Sequence, residues 1–363
     1  MDLPSLYQLS VKTFVRNLKH NSKSRAPISE LHDLPPNVLC TVFEEMSSHS
    51  SLTEITHREL SDPVLYMRVF SLNYTARKSL EKSVCNVSRN GVCALSEMAR
   101  NWCKIMSDEE KRKRYPSLAT NFRGALELGT YLHDAGLAQL SAEVLYIARR
   151  MIPQDNNGLK IECVRSILRA EVSALYKMKA EETCRTLLTM VDDTTDDEVR
   201  IKVFLEVTKH HFKACRYSEM NRWIQKAQEF ITETTPPEIV IECQQLNALH
   251  LFHSKMILDA YSIFKQAIDR TREIFGHHHR RYAETLYTFG ATLVKNRYCY
   301  GFQMLLYGIQ MLIEVLIIFT TLYGERTPHA NDIYRYLALA RDINTSTDDR
   351  TVCFFNSDCY RLF

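Results

Sequence analysis

The chain has 363 residues and a mass of 42.3 kDa, too long for one ordinary core and long enough for two domains or an elongated array of repeats. Ten Gly and ten Pro in a chain that is 45% hydrophobic and 25% charged exclude collagen-like and low-complexity classes and disfavour turn-rich all-β folds. A net charge of +3, from 46 basic against 43 acidic side chains, is too balanced for a chain that mainly neutralises phosphates, so nucleic acid is not an expected partner. Eleven cysteines with no C-x-x-C pair form an odd set that cannot close internally, and reduced thiols in the cytoplasm or nucleus are the plain reading. No basic stretch followed by an apolar one opens the chain, so a secretory signal is not expected.

The first predicted element is an amphipathic helix from Ser5, with Leu6, Ser10 and Phe14 at i, i+4 and i+8 on one stripe. Its spacing resembles the elongin C binding box, [ST]-L-x-x-x-C-x-x-x-Φ, where a leucine enters an apolar pocket and a small residue admits the partner. Ser10 stands where that box carries cysteine. Residues 32–46, H-D-L-P-P-N-V-L-C-T-V-F-E-E-M, resemble a cullin box, with Pro35 opening a helix and Leu34, Val38 and Val42 turned to the partner. Either box alone reads more simply as core; the two in this order point to docking. Residues 1–60 are thus expected to be a helical adaptor-binding segment and 61–120 a helical connection. Within the latter, Lys111 to Arg114 follows Asp108 to Glu110, so the local charges cancel and a solvated helix end is expected.

From residue 122 a period of about forty appears. Leu128, Gly129, Leu132, Gly136, Leu145, Ala148 and Pro153 fall at the spacings of a tetratricopeptide repeat, in which small residues mark the crossing of two antiparallel helices. The crossing position recurs at Gly129, Leu168, Thr208, Ala248 and Gly290, steps of 39, 40, 40 and 42. Each is followed by a triplet at i, i+4, i+7 on the second helix: Ser141/Leu145/Ala148, Ala180/Cys184/Leu187, Met220/Ile224/Ala227, Ala260/Phe264/Ala267 and Phe302/Leu306/Ile309. About five repeats over residues 121–343 are predicted, joined by the capping run Asp192 to Asp197, the breaker Thr234 to Pro237 and a longer link at Gly276 to His279. That link resembles the repeats of kinesin light chains. The step from Gly290 to Ala340 is 50, so something is inserted; residues 344–363 are expected to be an irregular tail. Phe302 to Tyr323 is apolar enough to raise a membrane span, but Gln303, Gln310 and Glu314 interrupt it, and a carboxylate near a bilayer centre costs about 2.5 kcal/mol or more; a buried repeat helix is the preferred reading.

No motif demands catalysis: there is no P-loop, G-x-S-x-G, H-E-x-x-H or kinase set. His277, His278 and His279 are adjacent in a link, share no face and have no fixed Cys or carboxylate partner, so neither a metal nor a cofactor is expected. If the repeats bind a peptide, inward-facing positions of the first helices select Lys202, Lys209, Lys213, Gln245 and Lys295, whose ammonium and amide groups suit a carboxylate and a peptide backbone.

In order, S-L-Y at 5–7, L-P-P-N-V at 34–38, A-G-L-A-Q-L-S-A-E-V-L at 135–145 and R-E-I-F-G-H-H-H-R-R-Y-A-E-T-L at 272–286 make the chain resemble a family of tetratricopeptide-repeat substrate receptors of cullin-2 RING ubiquitin ligases. The resemblance implies an all-α repeat superhelix, an adaptor without catalysis of its own, and elongin B, elongin C and cullin-2 as partners. It implies protein substrates, among them C-terminal degron peptides and amyloid precursor protein-like tails, with cytoplasmic, nuclear, microtubule-associated or peripheral membrane locations. Members of that family carry further repeats beyond the point where this chain ends, so the chain is expected to be shortened at its carboxyl end. A microtubule- or motor-associated transport scaffold is the alternative function.

Overall fold

The structure, a computed structural model, describes residues 5–20, 28–88, 94–192, 194–323 and 328–345. Among them are twenty α-helices, one 3-10 helix and no strand, so the fold is all-α, as the repeat pattern requires. The first twelve helices are α1 (Leu6–His20), α2 (Glu30–Asp33), α3 (Pro36–Ser47), α4 (Thr53–Leu60), α5 (Pro63–Phe70), α6 (Tyr74–Ser88), α7 (Ala94–Ser107), α8 (Glu109–Arg114), α9 (Pro116–Thr120), α10 (Phe122–Asp134), α11 (Ala138–Met151) and α12 (Asn157–Ser173). They are followed by α13 (Lys177–Thr189), α14 (Asp197–Lys213), α15 (Tyr217–Glu229), α16 (Pro237–His253), α17 (Ile257–Phe275), α18 (Arg280–Lys295), α19 (Arg297–Tyr323) and α20 (Pro328–Thr345). Two compact units divide the chain, residues 1–170 with 322–327 and residues 171–321 with 328–363. The division falls inside α12, within the residues where the repeats are expected.

In the first unit, α1 and α3 pack together: Val11 and Val15 are buried on α1, and Leu39, Val42, Phe43 and Met46 on α3. The Tyr7 hydroxyl donates to Thr41 Oγ1 at 3.0 Å and ties the outer edges of the pair. Each fully buried aliphatic or Phe side chain contributes about 1.5–3 kcal/mol relative to exposure, which is enough to hold a helix of only twelve residues in place. Asp62 caps α5 through Oδ1, accepting the Val64 N–H at 2.7 Å, and the buried ring of Trp102 on α7 is a packing residue. Lys111 and Lys113 pair locally with Asp108 and Glu109 at 3.1 and 3.2 Å, so the basic run is a solvated helix end. The first repeat is the α10–α11 hairpin, where Ser141 Oγ donates to the Gly129 carbonyl at 2.7 Å and fixes the crossing.

The second unit contains the hairpins α14–α15 and α16–α17, with α18 packed on α17, and its first helices α14 and α16 also touch. The first four expected triplets are buried along the chain. Phe264 stacks on Phe289 with ring centroids 4.3 Å apart, carrying the packing from α17 to α18. Local caps follow the sequence: Asp196 Oδ1 accepts the Glu198 N–H at 2.9 Å to open α14, and His279 Nδ1 accepts the Arg281 N–H at 3.1 Å to open α18.

The period is written in the backbone as well. Each hairpin turn closes on one left-handed residue, Gly136 (φ 82), Leu175 (φ 62), Cys215 (φ 57) and Lys255 (φ 64), again 39, 40 and 40 apart. The following N–H returns to the helix in each case: Leu137 to Leu132, Tyr176 to Glu171, Arg216 to His211 and Met256 to Leu251, at 2.8–2.9 Å. This is the Schellman closure that glycine serves best, yet only the first turn has glycine.

The fifth triplet is a correction. Leu306 is 42% exposed and Ile309 half-buried, the side chain of Phe302 lies outside the described residues, and the packed face of α19 is instead Leu305, Gly308, Met311, Leu312 and Val315. A Cβ built on Gly290 would lie 3.0 Å from the Gly308 carbonyl, so the crossing pairs two glycines and not glycine with leucine. The longer α19, 27 residues, absorbs the shift that the 42- and 50-residue steps announced. Residues 303–322 are long and apolar enough to cross a membrane, with 39% of that window buried; Ile313 and Ile317 form an apolar outer stripe. The expected tail from 346 onward lies outside the described residues.

Candidate functional site

Two surfaces carry the residues singled out from sequence, one in each unit. On α1 the helix has two apolar faces. Val11 and Val15 are spent on α3, whereas Leu6 is 81% and Leu9 47% exposed on the other side. Ser10 is exposed and donates its hydroxyl to the Leu6 carbonyl at 2.9 Å, as a small residue that keeps its face low; Phe14 is half-buried.

Pro35 opens α3 as expected, with an extended backbone at ψ 145 and an exposed ring. Leu34 and Val38 are half-buried, and Val42 is buried within the unit's own core. Sequence alone missed Arg68. Its guanidinium donates Nη1 to the His32 carbonyl at 2.8 Å and Nη2 to the Leu34 carbonyl at 2.5 Å, holding the turn that presents Pro35.

The second surface is the inner row of first helices, α14, α16 and α18, with α20 packed on α18. Its five sequence-selected residues differ in what they already hold. Lys202 is bonded to Glu198 one turn back. Lys209 bridges from α14 to Glu242 on α16 and lies 3.5 Å from the buried Glu206. Gln245 Nε2 donates to Thr285 Oγ1 at 2.7 Å, joining α16 to α18. These three residues staple one helix to itself or to its neighbour.

Lys213 and Lys295 are different. Both are exposed, and neither forms an ion pair or hydrogen bond among the described residues. They stand five residues after the crossing positions Thr208 and Gly290, and the corresponding residue after Ala248 is His253. Each closes its helix, where the carbonyl end of the helix dipole favours a cation. His253 stacks on Tyr217 at 4.5 Å between ring centroids and meets Phe212 edge-on at 5.5 Å. Lys295 Nζ lies 5.3 Å from the Tyr336 centroid, and that ring meets Tyr287 edge-on at 6.0 Å.

Surrounding protein, then the nearby Lys295, lower the Lys213 ammonium from its ordinary value, while Asp332 opposes them. Lys213 still reaches water, so the loss of solvation comes from protein on the inner side and not from full burial. His253 is lowered by burial first, then by Lys295 and His250, so its ring stays neutral near neutral pH. Asp332 lies 3.3 Å from Arg335, which answers part of its charge. The signal for His253 was present in sequence as the third member of the 213, 253, 295 series, but an imidazole at a helix end does not stand out without the ring contacts.

Helix-pair hairpins recurring about every forty residues define the class, an all-α helical-repeat protein. Among curated proteins the chain is similar to Amyloid protein-binding protein 2 of Rattus norvegicus and of Mus musculus, each 19% identical over 300 residues. The matched region is 80% of this chain and 49% of each relative, so the chain spans about half the length of the curated relatives it matches. The relationship is distant. No protein-family model matches the chain. Among solved structures, BtubC (BKLC) from P. vanneervenii is similar over 62% of this chain and 97% of its own length, at 13% identity and a TM-score of 0.36, a likeness too low to carry an argument.

Proposed function

We propose that the chain is a non-catalytic substrate-recognition subunit of a cullin-2 RING ubiquitin ligase, docking elongin B and elongin C through α1 and cullin-2 through the Pro35 turn. The repeats bind protein substrates for ubiquitination, with C-terminal degron peptides and amyloid precursor protein-like tails as the classes to try first. The observation that carries this reading is Leu6, 81% exposed on a helix whose opposite apolar face is already packed. Distant similarity to relatives named for binding an amyloid protein agrees with substrate capture by the repeats.

Mechanistically, the chain needs no reacting group. Holding a substrate on the same assembly as the charged E2 enzyme converts an encounter between two molecules into one within a complex, at an effective concentration on the order of mM for a short connection. Affinity purification of the tagged chain followed by mass spectrometry tests the reading. Cullin-2 with elongin B and elongin C is the expected list; motor subunits and tubulin without them would replace the ligase account with the transport-scaffold one.

A further inference from the structure

Lys202 and Lys209 are neutralised by carboxylates of their own unit, whereas Lys213 and Lys295 are not. Between them on consecutive first helices stands His253, its ring held by Tyr217 and Phe212, and beyond them Tyr336 closes on Lys295. We propose that this row, Lys213, His253 and Lys295 with the Tyr217 and Tyr336 rings, is a binding surface for an acidic, extended peptide segment of a partner protein.

The chemistry selects that occupant. Two ammonium groups, one from each of two inner helices, suit two separate carboxylate side chains better than one compact anion, which a fork of guanidinium donors would hold. The neutral imidazole between them offers ring nitrogens to a peptide backbone, and the flanking aromatic faces cover it. The helix dipole reduces the field only within the last turn, and a lysine stem of four carbons carries its charge past that turn. Lys213 and Lys295 disfavour one another, a repulsion that a bound carboxylate relieves. Asp332 is the opposing charge, and its carboxylate faces Arg335.

The inference deepens the substrate-receptor reading but is tested without the ligase. The probe is a fluorescein-labelled hexaglutamate peptide titrated into the purified full chain, read by fluorescence anisotropy at ~0.05 M and ~0.5 M salt. Binding is expected at low salt and is expected to weaken at high salt. Lys213→Glu and Lys295→Glu each lower affinity about 10-fold, as reversal of an exposed ion pair allows, while Lys202→Glu changes it less than about 2-fold. Lys213→Arg and Lys295→Arg keep binding, which separates loss of charge from loss of fold, and far-UV circular dichroism checks each variant. No saturable binding of hexaglutamate, binding indifferent to Lys213 and Lys295, or tighter binding of an oligothymidylate of equal charge each overturns the inference. Recovery of elongin C with the Lys213→Glu chain would then show that the adaptor reading survives the loss.

Discussion

Substituting Gly290 by Ala tests the crossing on which the last repeat of the second unit is built. The new methyl would meet the Gly308 carbonyl oxygen at 3.0 Å, Met311 Cβ at 3.1 Å and Leu312 Cγ at 3.3 Å. Two of these are a backbone atom and a Cβ, which cannot turn aside as the end of a long side chain can. Alanine gains up to about 1 kcal/mol of helix propensity over glycine, and overpacking a tight crossing costs about 1–3 kcal/mol. The net is a loss of about 1–2 kcal/mol, or roughly 2–8 °C in the transition of a unit of this size. Gly158→Ala is the internal control: its added methyl meets nothing within 4 Å, so only the propensity gain remains. Thermal melts followed by far-UV circular dichroism compare the two, together with Gly308→Ala, whose methyl meets Leu293 Cβ at 3.0 Å and the Gly290 carbonyl at 3.1 Å. If Gly290→Ala melted as high as Gly158→Ala, the close crossing of α18 and α19 would be wrong.

Three further outcomes follow from the same geometry. Leu175→Gly, Cys215→Gly and Lys255→Gly each relieve a left-handed turn and should raise stability by up to about 1 kcal/mol in urea melts, whereas Gly136→Ala should lower it by a similar amount. Acid should weaken the second unit by a route traceable to His211, whose imidazole is held down at about 4 by burial first and then by Arg216 and His210. The unfolded ring takes up a proton near pH ~6.5 and the folded ring does not, so stability falls as pH drops from there toward 4, by about 1–2 kcal/mol after allowance for solvent screening. The loss continues from the ordinary carboxylate range down to about 2, because unfolded Glu181 takes up its proton near 4.5 whereas Arg216 and then His210 hold the folded carboxyl at about 2. In urea midpoints measured at pH ~7 and ~5, His211→Leu should flatten the first part of this slope, and an unchanged slope would contradict it. Finally, Ile317→Lys on the outer stripe of α19 should leave the melt unchanged, whereas Leu312→Lys on its packed face should unfold the unit; loss of membrane association by the first variant would instead mark the helix as a span.

Much of the fold was legible because packing repeats in sequence. A crossing residue on the first helix of each pair and a buried triplet on one face of the second recur at steps of 39 or 40, so four hairpins could be located from that period. What sequence concealed were positions where the backbone carried the signal. Leu175, Cys215 and Lys255 occupy turns that glycine would have announced, and the tertiary hairpin overrides their preference. The fifth triplet failed because a second glycine, Gly308, took the crossing and moved the packed face of α19 off Leu306. On the inner row, sequence could choose lysines by register but could not tell a lysine already answered by Glu242 from one left to solvent. Likewise Val42 matched a spacing yet lies in the core, while Leu6 matched one and is exposed.

The docking role proposed for α1 is open to direct test. Leu6→Asp removes the exposed anchor while leaving Val11 and Val15 in their contact with α3, so helicity and melting should stay as in the parent chain. Co-purification of elongin C with the tagged chain is then the deciding measurement. Recovery with the parent and loss with Leu6→Asp is the expected result; equal recovery from both, or from neither, would contradict the account.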